Sequence, residues 1–153
     1  MRKIKSQPWI LLVEDSDEDF ATTLRAFKKS GVAYPVKRCV DGDDALDYLF
    51  RRGKFSDPKT SPRPDLILLD LNLPGTDGRE VLVEIKSDPV LKKIPAIVLT
   101  TSSEDRDIQK CYDAGANSFL NKSVDFRKFV EKIQRFKDFW FEAALLPNED
   151  FSA

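Results

Sequence analysis

Histidine is absent from all 153 residues of the sequence. Without it the chain cannot build a Ser-His-Asp or Cys-His catalytic site, bind zinc through imidazole, or donate a phosphoryl group from a histidine side chain. Whatever chemistry the protein performs must therefore use carboxylates, hydroxyls and lysine.

Cysteine is scarce. Cys39 and Cys111 stand in stretches that read as a strand and a helix, and they lack the spacing of a metal site. They also lack the density of a secreted, disulfide-bonded protein. Two isolated cysteines of this kind fit a reducing cytoplasm, where we expect the protein to act.

Neither an excess of positive charge nor a long apolar run is present. Lys plus Arg number 25 against 26 Asp plus Glu, so no positive field favours binding to nucleic acid or to an anionic membrane. The first apolar run stops at Glu14, and no run approaches the ~20 residues that a membrane helix needs. We therefore expect one soluble domain without a nucleic-acid or membrane partner.

Strand-like apolar runs alternate with helix-like patterns along the chain. Because several of these runs are almost entirely apolar, the alternation predicts an α/β fold, a doubly wound, five-stranded parallel sheet with helices on both faces. We assign residues 7–142 to this domain and 143–153 to a C-terminal tail. The strand-like runs are 9–13, 36–40, 65–70, 95–100 and 117–121.

Polar side chains stand at the ends of four of these runs, where ligands gather in parallel sheets. Two carboxylates ~4 Å apart at an effective dielectric near 20 repel by roughly 4 kcal/mol, so something must neutralise them. A shared proton would do so, but Mg²⁺ is the more economical answer, because it binds carboxylate and carbonyl oxygens. The end residues are Glu14 and Asp15, Asp70, Thr100 and Lys122, and Asn72 adds a carbonyl close to Asp70.

Three further acids follow directly and have a structural explanation. Ser16 can cap a helix whose first turn holds Asp17, Glu18 and Asp19. The helix macrodipole stabilises negative charge there by ~0.3 to 1 kcal/mol per residue. We expect these three acids mainly to stabilise the helix start.

The remaining constellation suits phosphoryl transfer. Asp70 would act as the nucleophile and form an acyl phosphate. Thr100 and Lys122 would each bind one phosphoryl oxygen, and Mg²⁺ would neutralise another. No single residue of this set is specific, and the prediction rests on their occurrence together at four strand ends.

These motifs together resemble the receiver domain of two-component response regulators, over residues 7–140. The resemblance implies a flavodoxin-like sheet of order 2-1-3-4-5 and a histidine kinase as phosphodonor. It also implies a signalling domain rather than an enzyme, with at most self-phosphorylation and self-dephosphorylation. The motifs are ED at 14–15, LLDLNLPGTDG at 68–78, VLTTS at 98–102, and Lys122 with an aromatic residue three positions earlier.

The same resemblance implies a role for each site residue. Asp70 would be the phosphoacceptor, Thr100 the switch hydroxyl and Phe119 the switch aromatic, although Phe119 can equally be a core residue in the unphosphorylated protein. The implied Mg²⁺ ligands are Glu14, Asp15, Asp70 and the Asn72 carbonyl.

One position departs from the family pattern. The family usually has a cis proline after the lysine, whereas Ser123 follows Lys122 here. A cis bond without proline costs ~2.5 to 4 kcal/mol. We therefore expect a trans peptide that displaces Lys122 somewhat.

The last predicted helix, from about Val124 to Leu145, ends in adjacent aromatic residues. Phe139, Trp140 and Phe141 spread over roughly 200° of an α-helix, so one core cannot cover all three. Phe139 and Phe141 do not fit the core face of that helix, so we expect both to lie off the core. Because the chain shows no output domain, we expect signalling by contact. An exposed aromatic patch favours a homodimer through the last helix and tail, and the alternative is a tail folded back on its own domain.

The long polar loop before the third strand and the aromatic tail are most similar to single-domain regulators paired with phytochrome kinases, especially those of cyanobacteria. This resemblance implies a light-sensing kinase as partner.

Three alternative functions compete with that of a phosphorylated response regulator. A haloacid dehalogenase-type enzyme needs an acid where Asn72 stands, and an FMN phosphate would be repelled by EDSDED, residues 14–19. A receiver-like scaffold without phosphorylation is left open by Ser123.

Overall fold

The computed structural model describes residues 8–147, so the predicted domain start at residue 7 and residues 148–153 of the predicted tail lie outside the described residues. Five parallel strands form one sheet of order β2-β1-β3-β4-β5, which confirms the predicted class and topology. The strands are β1 (Ile10–Val13), β2 (Val36–Cys39), β3 (Leu66–Leu69), β4 (Ala96–Thr100) and β5 (Ser118–Asn121).

In the described part of the chain, five α-helices connect and follow the strands. The first begins as predicted, because Ser16 Oγ accepts a hydrogen bond from Asp19 N at 3.1 Å. Within residues 8–147, no helix has both the length and the apolar character that crossing a bilayer requires. The helices are α1 (Asp17–Lys29), α2 (Gly42–Leu49), α3 (Gly78–Ser87), α4 (Asp105–Asp113) and α5 (Phe126–Lys137).

Two apolar clusters cover the two faces of the sheet. Residues that alternate along β1 and β3 belong to different clusters, as the period of two in a strand requires. Leu11 and Ile67 pack with residues of α2, α3 and α4, whereas Leu12 and Leu68 pack with residues of α1 and α5. Every residue of β1 and β3 is buried, which explains why these strands are apolar throughout.

The last helix differs from the prediction at both ends. It begins at Phe126 rather than near Val124, because the Asp125 carboxylate caps it by accepting from Arg127 N at 2.9 Å. After Lys137 the chain continues as a π-helix over Asp138–Ala143.

The π-helix changes where the aromatic side chains point, since its turn is wider than an α-helical turn. Phe141 stacks on Tyr34 with ring centroids 4.2 Å apart, and it packs with Trp140 against the α1 and α5 face of the core. The expectation that Phe141 lies off the core was therefore wrong. Phe139 remains 56% exposed.

Candidate functional site

The carboxyl ends of β1 and β3 bring three carboxylates together, as the sequence predicted. One oxygen each from Glu14, Asp15 and Asp70 lie within 4.8 Å of one another. Glu14 and Asp70 are buried, and Asp15 is exposed. A set of oxygen donors with one solvent-facing member fits a hard cation such as Mg²⁺, which keeps several water ligands.

Lys122 lies at the centre of this acidic site. Its Nζ is 2.5 Å from Glu14 Oε1, 3.1 Å from Asp19 Oδ2 and 3.2 Å from Asp70 Oδ2. The Lys122–Ser123 peptide is trans, as expected. We expected the trans peptide to displace Lys122 somewhat. Its ammonium group nevertheless reaches Asp70, because the lysine side chain is long.

Burial governs the electrostatics of the pair at the centre. It raises the pKa of Glu14 to about 7, although the hydrogen bond and charge of Lys122 act to lower that pKa. Burial alone would lower the pKa of Lys122, but the Glu14 hydrogen bond and the charges of Asp70 and Glu14 outweigh it and raise the pKa. The single ammonium group of Lys122 thus pairs with three carboxylates and cannot neutralise all of them. The remaining negative charge of the site favours binding of a further cation.

The three other predicted site residues lie around this centre. Thr100 is fully buried at the end of β4, and its Oγ1 accepts from Ser102 N at 3.5 Å. Asn72 N donates to Asp70 Oδ1 at 3.3 Å. Phe119 is partly buried in β5 and packs against the cluster beneath α2, α3 and α4.

Gly78 allows α3 to begin directly against the phosphoacceptor candidate. A Cβ atom at this position would lie 2.1 Å from the backbone oxygen of Asp70, a distance that no real side chain tolerates. The close approach fixes the backbone on which the Asp70 carboxylate stands.

Sequence reasoning missed two contributors. Asp19 was assigned only to the helix start, yet its carboxylate also binds Lys122. Arg38 was not singled out, yet its Nε donates to the backbone oxygen of Glu14 at 2.8 Å. The available signal for Arg38 was a charged residue inside a strand of a sheet predicted to be covered on both faces.

Comparison with known proteins identifies the family. Residues 10–134 match the model of the response regulator receiver domain. The chain belongs to this family. Receiver domains are signalling domains of two-component systems rather than conventional enzymes, which is the class of function that the motifs indicated.

The receiver domain is similar to several phytochrome-associated proteins, which confirms the predicted resemblance. It is 43% identical over 138 residues to Response regulator Rcp1 of Synechocystis sp., covering 90% of this chain and 92% of that protein. The crystal structure of the phosphorylated cyanobacterial phytochrome response regulator RcpA is 42% identical with a TM-score of 0.85, covering 94% of this chain and 100% of that one. The Mn²⁺-bound form of Rcp1 is 42% identical with a TM-score of 0.83, covering 92% and 99%.

Proposed function

We propose that this receiver domain accepts a phosphoryl group on Asp70 from a sensor histidine kinase, with Mg²⁺ in the acidic site. The observation that carries the proposal is the arrangement of Asp70 itself. Its carboxylate stands with those of Glu14 and Asp15 within 4.8 Å and has the Lys122 ammonium group 3.2 Å away. This set provides a nucleophile, a place for a hard cation and a fixed positive charge.

The proposed reaction forms one bond and breaks one. A carboxylate oxygen of Asp70 attacks phosphorus, and the bond from phosphorus to the kinase imidazole nitrogen breaks. The electron pair of that bond stays on the nitrogen, which takes up a proton. Lys122 pairs with one phosphoryl oxygen, and the Thr100 hydroxyl donates to another.

Mg²⁺, when bound, neutralises charge on the phosphoryl oxygens. Glu14, Asp15, Asp70 and the backbone carbonyl of Asn72 would hold it. The similarity to the Mn²⁺-bound form of Rcp1 supports a divalent cation at this position.

The serine that replaces the family's proline after Lys122 is no argument against phosphorylation. The Lys122–Ser123 peptide is trans, and the Lys122 ammonium group still lies beside Asp70. This departure from the family pattern therefore no longer favours a scaffold without phosphorylation.

A phytochrome-type kinase is the proposed phosphodonor. The support is the similarity to the cyanobacterial phytochrome response regulator RcpA. We place the protein in the cytoplasm with that kinase, since Cys39 and Cys111 are both free and buried.

A homodimer through the last helix and tail is the proposed output form, with the domain ending at residue 142 and the tail at 143–153. Phe139, which is 56% exposed, helps to line a groove of about 510 Å³ along β5 and α5. Phe119, Leu120 and Trp140 contribute to its lining. An apolar side chain and a groove on one face allow two copies to bind each other symmetrically.

Phosphorylation of intact protein tests the core of this proposal. Wild type and Asp70→Asn are incubated with Mg²⁺ and acetyl phosphate, then weighed by mass spectrometry. We expect a gain of ~80 Da on wild type alone, since only it has the nucleophilic carboxylate. Asp57→Asn, which changes an exposed acid of the loop before β3, serves as a control that should still gain the mass. No gain on wild type would favour the scaffold, and a gain on Asp70→Asn would place the acceptor elsewhere.

A further inference from the structure

The corner between β1 and α1, residues 14–20, presents Glu14 and Asp15 to the acidic site. One side chain from another element binds this corner at three points. Arg38 Nε donates to the Glu14 backbone oxygen at 2.8 Å, and Arg38 Nη1 donates to Asp17 Oδ1 at 2.8 Å. The guanidinium carbon also lies 4.7 Å from the ring centroid of Phe20.

The strand register explains how Arg38 reaches the corner. Arg38 of β2 stands opposite Leu12 of β1, whose side chain packs on the α1 side of the sheet. Neighbouring residues of a strand face opposite sides, so Arg38 points towards α1 while Cys39 packs on the other face. The Arg38 side chain is only 18% exposed there.

β2 consequently holds both backbone polar groups of Glu14. The Cys39 carbonyl accepts from Glu14 N at 3.0 Å, and Arg38 Nε binds the Glu14 carbonyl. The bond from Arg38 Nε to the Glu14 carbonyl is part-buried and fixes the position of the corner. The Asp17 side chain is 93% exposed, so its bond to the rigid guanidinium fork contributes less and acts mainly on the orientation of the corner.

The charge of Arg38 pairs with Asp17 and contacts the Phe20 ring, but it does not favour a cation in the acidic site. A positive charge on the backbone of a proposed Mg²⁺ ligand opposes the binding of a second cation. In addition, Arg38 Nη2 is buried and has no hydrogen-bond partner among residues 8–147, so the guanidinium group keeps its bonds to Glu14 and Asp17 at the expense of one unsatisfied donor. Any contribution of Arg38 to metal binding must therefore come from the positions in which it holds the ligands.

We propose that Arg38 is a positioning residue for the divalent cation: it clamps the corner between β1 and α1 so that the Glu14 and Asp15 carboxylates are held ready for the metal. This inference rests on the proposed Mg²⁺ site. Arg38 itself does not touch the cation or Asp70 in this role.

The direction in which Arg38→Gln changes the metal affinity shows whether Arg38 acts by positioning the ligands or only by its charge. If Arg38 acted only through its charge, Arg38→Gln would remove a repulsive cation and tighten metal binding. If Arg38 fixes the ligands, the same variant weakens metal binding by about tenfold, as loss of a residue that orients metal ligands commonly does.

The experiment measures metal binding directly on the full chain. Free Mn²⁺ is followed by electron paramagnetic resonance during titration with wild type, Arg38→Gln and Arg38→Lys, and Mg²⁺ competition gives its affinity. Arg52→Gln is the matched control, because Arg52 also lies over a ring, Phe50, at 4.6 Å and near a carboxylate, Asp47, at 4.0 Å. Circular dichroism melts show that each variant is folded at the titration temperature.

We expect about tenfold weaker binding for Arg38→Gln, several-fold weaker binding for Arg38→Lys, and unchanged binding for Arg52→Gln. Lysine keeps the charge but cannot bind the carbonyl and the carboxylate with one fork, so it decides the matter if Arg38→Gln does not fold. Unchanged or tighter binding in a folded Arg38 variant overturns the positioning role alone. Failure of wild type to bind either metal overturns the proposed Mg²⁺ site and the positioning role with it.

Discussion

Two lysines of this receiver domain have opposite surroundings. Lys122 lies among carboxylates, which raise its pKa against the effect of burial. Lys86 of α3 donates instead to neutral oxygens, those of Lys92 at 3.0 Å, Ile94 at 2.8 Å and the Asn117 side chain at 3.0 Å. Burial without a counter-charge lowers the pKa of Lys86 to about 8. The pKa of Lys122 thus lies above the ordinary lysine pKa of about 10.4, and that of Lys86 lies below it.

The lowered pKa of Lys86 predicts a rise in stability with pH. Between pH 8 and about 10 the unfolded chain still binds the proton that the folded chain has released, so the free energy of unfolding increases with pH in this window. Below pH 8 both states are protonated and the contribution is constant. Allowing for solvent screening, we expect a gain of about 1 kcal/mol that Lys86→Met abolishes.

Urea unfolding of wild type and Lys86→Met at pH 7, 8, 9 and 10 measures this difference. Lys93→Met is the control, because Lys93 is an exposed lysine of the same region and should keep the wild-type pH dependence. A stability difference between wild type and Lys86→Met that stays flat from pH 8 to 10 would contradict the prediction.

At the scale of elements, the loop after Asp70 is fixed by helix starts on both sides. Gly78 begins α3 against the Asp70 carbonyl, and Gly42 begins α2 against the same loop. A Cβ atom on Gly42 would lie 2.0 Å from the backbone oxygen of Thr76. The Thr76 hydroxyl also donates to the carboxylate of Asp43, the residue after Gly42. The start of α2 thus helps to support the loop that follows Asp70, the proposed phosphoacceptor.

Gly42→Ala is expected to lower the free energy of unfolding by about 2 kcal/mol or more, because backbone rather than a flexible side chain opposes the new methyl group. Gly53→Ala is the comparison: Gly53 has open space around it and a φ of 55°, so only backbone strain of about 1 kcal/mol applies. Urea unfolding of both variants decides the matter. Equal losses would mean that α2 moves away from the loop at little cost.

The three central strands β1, β3 and β4 could be predicted from sequence because each is an almost entirely apolar run, and the polar residues at the strand ends followed from the topology. Side-chain reach could not be predicted in the same way. The contact of Lys122 with Asp19, and that of Arg38 with the Glu14 carbonyl, depend on loop paths and rotamers that spacing does not encode. The π-helix after Lys137 was also missed, because an aromatic pattern gives no sign of a change in helical turn.

At the scale of the molecule, β5 connects the acidic site with the groove beside Phe139. Lys122 follows β5 directly and binds Asp70, while Phe119 of the same strand contributes to the groove. A shift of β5 on phosphorylation would therefore alter the surface that we propose for the homodimer. If phosphorylation strengthens that dimer, dimerisation must favour phosphorylation by the same factor.

A point variant tests the dimer more cleanly than truncation after Asp138. Truncation would also remove Phe141, whose stacking on Tyr34 stabilises the domain itself. Phe139→Asp places a charge on the exposed ring position and should convert a wild-type dimer to monomer in sedimentation velocity, because burying an unpaired charge opposes association. Val83→Asp changes a residue of α3 that is 50% exposed, and should leave the dimer intact. A wild type that is monomeric both with and without Mg²⁺ and acetyl phosphate, or a dimer that survives Phe139→Asp, would exclude this face and leave the groove along β5 to another partner.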